Sequence, residues 1–201
     1  MTKCRRNLPQ WVGSVSLTLV FVLAACVDFS TERNVEQTLR VRLIAFNDFH
    51  GNLEPPGINI NAGNAEAPLP VPAGGAAYFA SAIAALKAGH PHHAVISAGD
   101  MVGASPLVSA LFLDEPTIEA KNLMGIDFHA VGNHEFDRGQ AELLRMAKGG
   151  CTQHGKLEPC RMSGRYGGAN FQFLAANTVK SDGQPLFPGT AIKTFGEGAD
   201  R

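Results

Sequence analysis

Apolar and polar positions follow two rhythms along this chain, a short extended one and a longer helical one, in alternation. Arg40 to Asn47 (RVRLIAFN) is rich in apolar and β-branched residues and stops at Asp48, which predicts a first strand. Residues 51–75 carry Pro55, Pro56, Pro68, Pro70 and Pro72 among glycines and predict an irregular connection, long enough to be a functional or family-specific insert. Ala76 to Ala88 places Tyr78, Phe79, Ile83 and Leu86 at helical spacing and ends at Gly89 and Pro91, so a helix is expected there. Ala94 to Ala98 (AVISA) reads as a buried strand followed by Gly99-Asp100. A short helix is expected over Leu107–Leu113, and a second over Glu115–Met124, with Asp114 as N-cap, Pro116 in its first turn and Gly125 past its end. Phe128–Val131 predicts a third strand running into Gly132-Asn133-His134, and Gly139–Lys148 a further helix closed by Gly149-Gly150. Phe173–Asn177 and Ala191–Phe195 complete the list as two late strands. Strands alternating with helices predict an α/β arrangement, with helices covering a sheet.

The first 25 residues stand outside this pattern. Lys3, Arg5 and Arg6 precede an uncharged stretch whose apolar part, Trp11 to Cys26, is 16 residues long. A spanning helix needs about 20, whereas a cationic opening before a short apolar run reads as a secretory signal. Leu23-Ala24-Ala25-Cys26 resembles the lipobox of bacterial lipoproteins, which implies cleavage before Cys26 and lipidation of its sulfur. An uncleaved short anchor, or an ordinary signal with a chance cysteine, are the competing readings. The expected organisation is a signal at 1–25, a polar tether at 26–38 and a body at 39–201. It implies an exported protein of the periplasm or cell envelope, held to a membrane by its lipid anchor at Cys26.

Composition narrows the function classes. With 45% hydrophobic and 17% charged residues, the chain is unlike a disordered one. The 17 Lys+Arg against 18 Asp+Glu give −1, which excludes a strongly basic scaffold and leaves no expectation of a nucleic-acid polymer as partner. Outside the signal, 14 bases against 18 acids leave −4, a mildly acidic body. Of the cysteines, Cys151 and Cys160 fall in a Gly-rich stretch of the body. In an exported protein such a pair is most simply a local disulfide, which adds roughly 2–3 kcal/mol by closing a short loop. Two metal thiolates are the alternative, with His154 as the one nearby further ligand.

The unusual residues cluster after strands. Asp48-Phe49-His50 follows the first, Asp100 the second, and Asn133-His134-Glu135-Phe136-Asp137 the third. In open α/β sheets, ligands collect beyond the carboxyl ends of the strands, so three successive strands would deliver oxygen and imidazole groups to one rim. Mixed O and N donors suit Zn, Mn, Co or Fe(II) better than Ca. His90, His92 and His93 lie between a helix and a strand at the opposite edge and read as solvated loop residues. His129, inside a strand, reads as a packed core histidine.

These motifs resemble the calcineurin-like metallophosphoesterases, and more closely their exported bacterial 5′-nucleotidase branch, which includes UDP-sugar hydrolases and 2′,3′-cyclic phosphodiesterases. The carrying residues are Asn47-Asp48-Phe49-His50-Gly51 with Leu53-Glu54-Pro55, Gly74-Gly75-Ala76, Gly99-Asp100 and Gly132-Asn133-His134-Glu135-Phe136-Asp137. The resemblance implies a sheet sandwich flanked by helices, with two divalent metal ions of the Zn, Mn, Co or Fe class and a nucleotide or other phosphoester as substrate. By the same resemblance Asp48 and His50 bind one metal, Asn133 the second, and Asp100 bridges both. His134 would face the phosphate and protonate the leaving alkoxide, and Asp137 would orient it and raise its pKa. Glu135 receives no role.

Members of that family complete both sites with later Gly-His and Gly-His-x-His loops and stack the nucleoside on a C-terminal domain. After His134 the next histidine is His154, which lacks that context, and Gly196 to Arg201 match no expected continuation. The expectation is therefore an incomplete domain, the N-terminal half of the catalytic domain with the nucleotide-binding domain absent. Such a chain would fold poorly and turn over marginally, while its parent hydrolyses nucleotide phosphoesters. The alternative is a catalytically inactive envelope lipoprotein that serves as a binding module.

Overall fold

The computed structural model describes residues 38–196, of which those from Leu39 onward form one compact unit. The signal, Cys26 and nearly all of the tether lie outside the described residues. In chain order the elements are β1 (Arg42–Phe46), β2 (Asn59–Asn61), β3 (Pro70–Pro72), α1 (Gly75–Lys87), β4 (His93–Ala98), α2 (Leu107–Ala110), α3 (Glu115–Met124), β5 (Phe128–Ala130), α4 (Gln140–Lys148) and β6 (Gln172–Leu174). A single 3₁₀ turn, His134–Phe136, stands between β5 and α4. No helix among the described residues is long and apolar enough to cross a membrane.

The strands β1, β4, β5 and β6 pair in that order, all parallel. Each successive pair is joined through helix, as parallel pairing requires. Register puts Ile44, Phe46, Val95, Ser97, His129 and Phe173 on one face. That face packs with Ile83 of α1, Ile118 and Met124 of α3, and Leu143 and Met146 of α4 to make the core. The opposite face is different. Leu43 is 68% exposed there, and Ala45, Ala98 and Ala130 are exposed beside half-buried Ile96 and Phe128.

The expected strands and helices of the first half lie within a few residues of their observed bounds, and the differences have physical causes. The insert is not wholly irregular: β2 and β3 pair antiparallel, and the Asn61 side chain accepts from the Gly63 and Leu69 amides to close the turn. Asp114 does occupy the N-cap position of α3, but in a left-handed conformation (φ 61°) and with no capping bond. Its carboxylate accepts from the Ser109 hydroxyl at 2.7 Å instead. Ala191–Phe195 forms no strand. Lys193 reaches Asp127 at 2.6 Å and the Phe195 ring lies 5.8 Å from that of His92, both just before strands. The segment therefore crosses the amino ends of the sheet, and side chains anchor it where a strand would have used a ladder.

The long segment between α4 and β6 is pinned at a buried arginine. Arg145 of α4 donates to Glu115 and Glu142, each at 2.7 Å, and to the Gly150 carbonyl at 3.0 Å. Glu115 in turn accepts the Cys160 amide at 3.0 Å. Cys151 and Cys160 are joined as a disulfide, with Cα atoms 5.6 Å apart.

Candidate metal centre

Beyond the last residues of β1 and β4, the chain continues to pair. The Asp48 amide donates to the Gly99 carbonyl, His50 to Asp100 and Gly51 to Met101, each at 3.1 Å. These bonds carry the first loop across the carboxyl end of β4 and set His50 opposite Asp100. The bend needs backbone that most residues avoid: Asp48, His50 and Asp100 have φ of 50°, 47° and 46°. Asp and His tolerate the left-handed region better than most residues, and such strain concentrates at functional sites.

His50, Asp100 and His134 come together, their ligand atoms all within 4.8 Å of one another. The His50 Nδ1 lies 2.9 Å from the Gly103 carbonyl and the His134 Nδ1 lies 2.9 Å from Asp137 Oδ2. With Nδ1 occupied on each ring, Nε2 is the atom left for a ligand. The His134 amide donates to Asp100 Oδ1 at 3.0 Å, so the carboxylate is already oriented by the turn that carries His134. That short bond to Asp137, then the charges of Asp137, Asp100 and Glu135, hold the His134 imidazolium above its ordinary pKa. The His50 imidazole and the Asp100 carboxylate are donor types that a borderline divalent cation takes, and His134, held toward its protonated form, lies beside them as an acid.

Of the other expected ligands, Asn133 immediately precedes His134 at the start of the 3₁₀ turn. Asp48 stands apart from the trio. It is exposed, and its carboxylate accepts from the Asn47 side-chain amide. It faces a cavity of about 250 Å³ lined also by Phe46, Phe49, Asn52 and Phe79. His154 sits on the disulfide loop beside Arg138 and Lys156, outside the trio.

Glu135, to which the sequence assigned nothing, ties the loops together. It is 2% exposed, and it accepts the amides of Asp100 at 3.1 Å, Met101 at 2.7 Å and Gly132 at 2.6 Å. Burial alone would raise its pKa. The imidazole of His129, 3.3 Å away, and the amides of Gly132 and Met101 outweigh that and hold the carboxyl below its usual value. His129 is fully buried against Phe171 and Phe173, as expected of a core histidine. The loops approach so closely that a Cβ at Gly132 would collide with the Asp100 carboxylate and lie 2.7 Å from its backbone nitrogen. A signal for Glu135 did exist, an acidic residue three positions past Gly132 in a tight turn, where its carboxylate can turn back onto the preceding amide.

No family model matches the chain. It is 53% identical over 161 residues to an uncharacterized protein of Acinetobacter calcoaceticus from the pqq-V 5′ region, covering 78% of this chain and 79% of that one. It is 35% identical over 154 residues to endonuclease YhcR of Bacillus subtilis, and 28% identical over 170 residues to a probable 5′-nucleotidase of Treponema pallidum. These alignments take in 76% and 77% of this chain, but it spans only 12% and 28% of those longer proteins. Among solved structures, the NAD nucleotidase of Haemophilus influenzae superposes with a TM-score of 0.56 at 22% identity, over 76% of this chain and 24% of that one. That likeness establishes the shared α/β fold.

Proposed function

The chain belongs to the metallophosphoesterase family, among its 5′-nucleotidase-like members, and from that premise we propose that it carries the first part of a centre for hydrolysing nucleotide phosphoesters. One observation carries the reading: His50, Asp100 and His134 converge beyond the carboxyl ends of β1, β4 and β5, with the first two loops bent through left-handed backbone. His50 and Asp100 would hold one cation, with Asp48 joining them by giving up its contact with Asn47. Asp100 would be shared with a second cation, next to Asn133. When bound, divalent cations of the zinc, manganese, cobalt or iron class supply positive charge for phosphoryl oxygens and acidify a water.

The chain's own residues supply the rest. Asp100, fixed by the His134 amide, keeps the two loops in step. Asp137 accepts from His134 Nδ1 and stabilises the imidazolium, so Nε2–H is the proton available to a departing alkoxide. Glu135 holds the loop amides, which leaves Asp100 no freedom to drift.

Residues 39–201 would form the N-terminal part of the catalytic domain, a reading supported by the small share this stretch occupies in the longer relatives. The described residues give the second cation only Asp100 and Asn133, so the 201-residue chain by itself should turn over marginally. Lys3, Arg5 and Arg6 before the apolar run to Cys26 support export and lipid anchoring at the envelope.

Titration of the purified chain with Co²⁺, followed by its visible absorption, tests the assignment. Asp100→Ala is expected to abolish the signal, whereas His134→Ala should keep the metal and lose the residual hydrolysis of a nucleoside 5′-phosphate. Equal loss of metal in both variants would make His134 a ligand and refute the division of roles. Absence of Co²⁺ binding by the unsubstituted chain would refute the centre itself.

A further inference from the structure

Lys121 of α3 is fully buried, and its ammonium has no hydrogen-bond partner among the described residues. It stands three positions after Ile118 and three before Met124, on the stripe of α3 that packs into the core. An apolar residue is expected at such a position. Three phenyl rings surround the amine: its Nζ lies 3.1 Å from the centroid of Phe49, 4.2 Å from that of Phe79 and 4.9 Å from that of Phe46. The rings also brace each other. Phe46 meets Phe79 edge-on at 4.8 Å, and Phe49 stacks on Phe79 at 5.7 Å.

The cage joins three parts of the fold. Phe46 ends β1 and Phe79 belongs to α1, while Phe49 lies between Asp48 and His50 in the loop of the candidate centre. Burial alone pushes the Lys121 amine down to about 7, so this group is held against its own preference for water. A methionine of similar length would fill the same space without that penalty. What the ammonium adds is attraction to the faces of the rings, strongest where water is excluded. Phe49 is the nearest ring and the one whose backbone neighbours are strained.

We infer that Lys121 is a positioning residue whose ammonium, seated on the face of Phe49, holds the Asp48–Phe49–His50 loop in the left-handed bend that brings His50 to Asp100. The inference deepens the metallophosphoesterase reading and rests on it for its consequence, since a loosened loop would present His50 poorly to a cation. The mechanical part stands on the cage alone.

The test is amide hydrogen exchange at residue resolution on the full chain at about pH 6, where the Lys121 amine carries its charge, with Lys121→Met, Phe49→Leu and the double variant. The amides of Asp48, His50 and Gly51, which bond across to the Gly99–Met101 segment, report on the loop. In Lys121→Met they should exchange about tenfold faster, the order that a desolvated cation–π contact supplies. Val95, in the core of β4, should be unchanged, and the melting temperature equal or higher. Phe49→Leu should match that acceleration, and the double variant should add nothing to it. Unchanged loop exchange in Lys121→Met overturns the inference, as does equal acceleration at Val95, which would mean a merely structural role. If Lys121→Met does not fold, Phe49→Leu decides by the same three amides. A parallel Co²⁺ titration separates the two levels: the unsubstituted chain failing to bind sinks the metal centre, while the exchange result still decides the role of Lys121.

Discussion

At the scale of single residues, the pair formed by His134 and Asp137 is the most sharply testable. Both side chains are partly open to solvent, 33% and 44% exposed, yet their 2.9 Å contact orders the imidazole in one direction. The same contact is the largest cause of the raised His134 pKa. Asp137→Asn removes the negative charge, so the imidazole should lose its proton at lower pH than in the unsubstituted chain. NMR titration of the His134 ring protons reads that shift directly and needs no turnover. If protonated His134 delivers the leaving-group proton, the fall in rate with rising pH moves the same way, to lower pH. A titration midpoint unmoved by Asp137→Asn would show that the pair is a surface contact without influence on the acid. Asp48 carries a second lesson at this scale. Sequence spacing brings it to the right rim, but its carboxylate turns to the neighbouring Asn47, and spacing is silent on such local competition.

At the scale of elements, Glu135 decides whether the loops after β4 and β5 behave as one body. Its carboxylate is the acceptor for three backbone amides, those of Asp100, Met101 and Gly132. Each buried amide deprived of a partner costs about 1–3 kcal/mol. The Met101 amide is buried and the other two partly so, and Glu135→Ala should therefore destabilise by about 1–3 kcal/mol, and Glu135→Gln, which keeps acceptor capacity, by clearly less. Urea unfolding of the three proteins checks the order; equal stability of all three would remove Glu135 from this role. The parallel elements were readable from the sequence because short apolar runs and Gly or Pro stops mark them locally, as at AVISA before Gly99. The motif residues were readable for the same reason, since each follows a strand end. What local pattern cannot carry is competition between distant groups. Ala191–Phe195 has a strand's composition, but Lys193 finds Asp127 and no sheet edge is joined. Lys121 has the composition of a surface helix residue, and only the meeting of β1, α1 and the first loop puts rings around it.

At the scale of the whole molecule, the two faces of the sheet are unequal. Parallel sheets are normally covered on both sides, and among the described residues the core lies on one side only, under α1, α3 and α4. The other side offers Leu43 at 68% exposure with Ala45, Ala98 and Ala130. Apolar surface gathered on a flat sheet promotes association, and at about 25 cal/mol per Å² even a modest patch favours it. The 201-residue chain is thus expected to self-associate as its concentration rises. Placing a charge at the most exposed of these positions, Leu43→Glu, together with Ala45→Gln, should weaken that association about tenfold in sedimentation velocity. Neither residue lies in the candidate centre, and surface substitutions of this kind change stability by about 0.5 kcal/mol or less. Should the double substitution instead destabilise by several kcal/mol, as buried apolar residues do when replaced by charge, this face is covered in solution. The sheet would then be a closed layer of the folded protein, and the expectation of a half-built sandwich would fail with it.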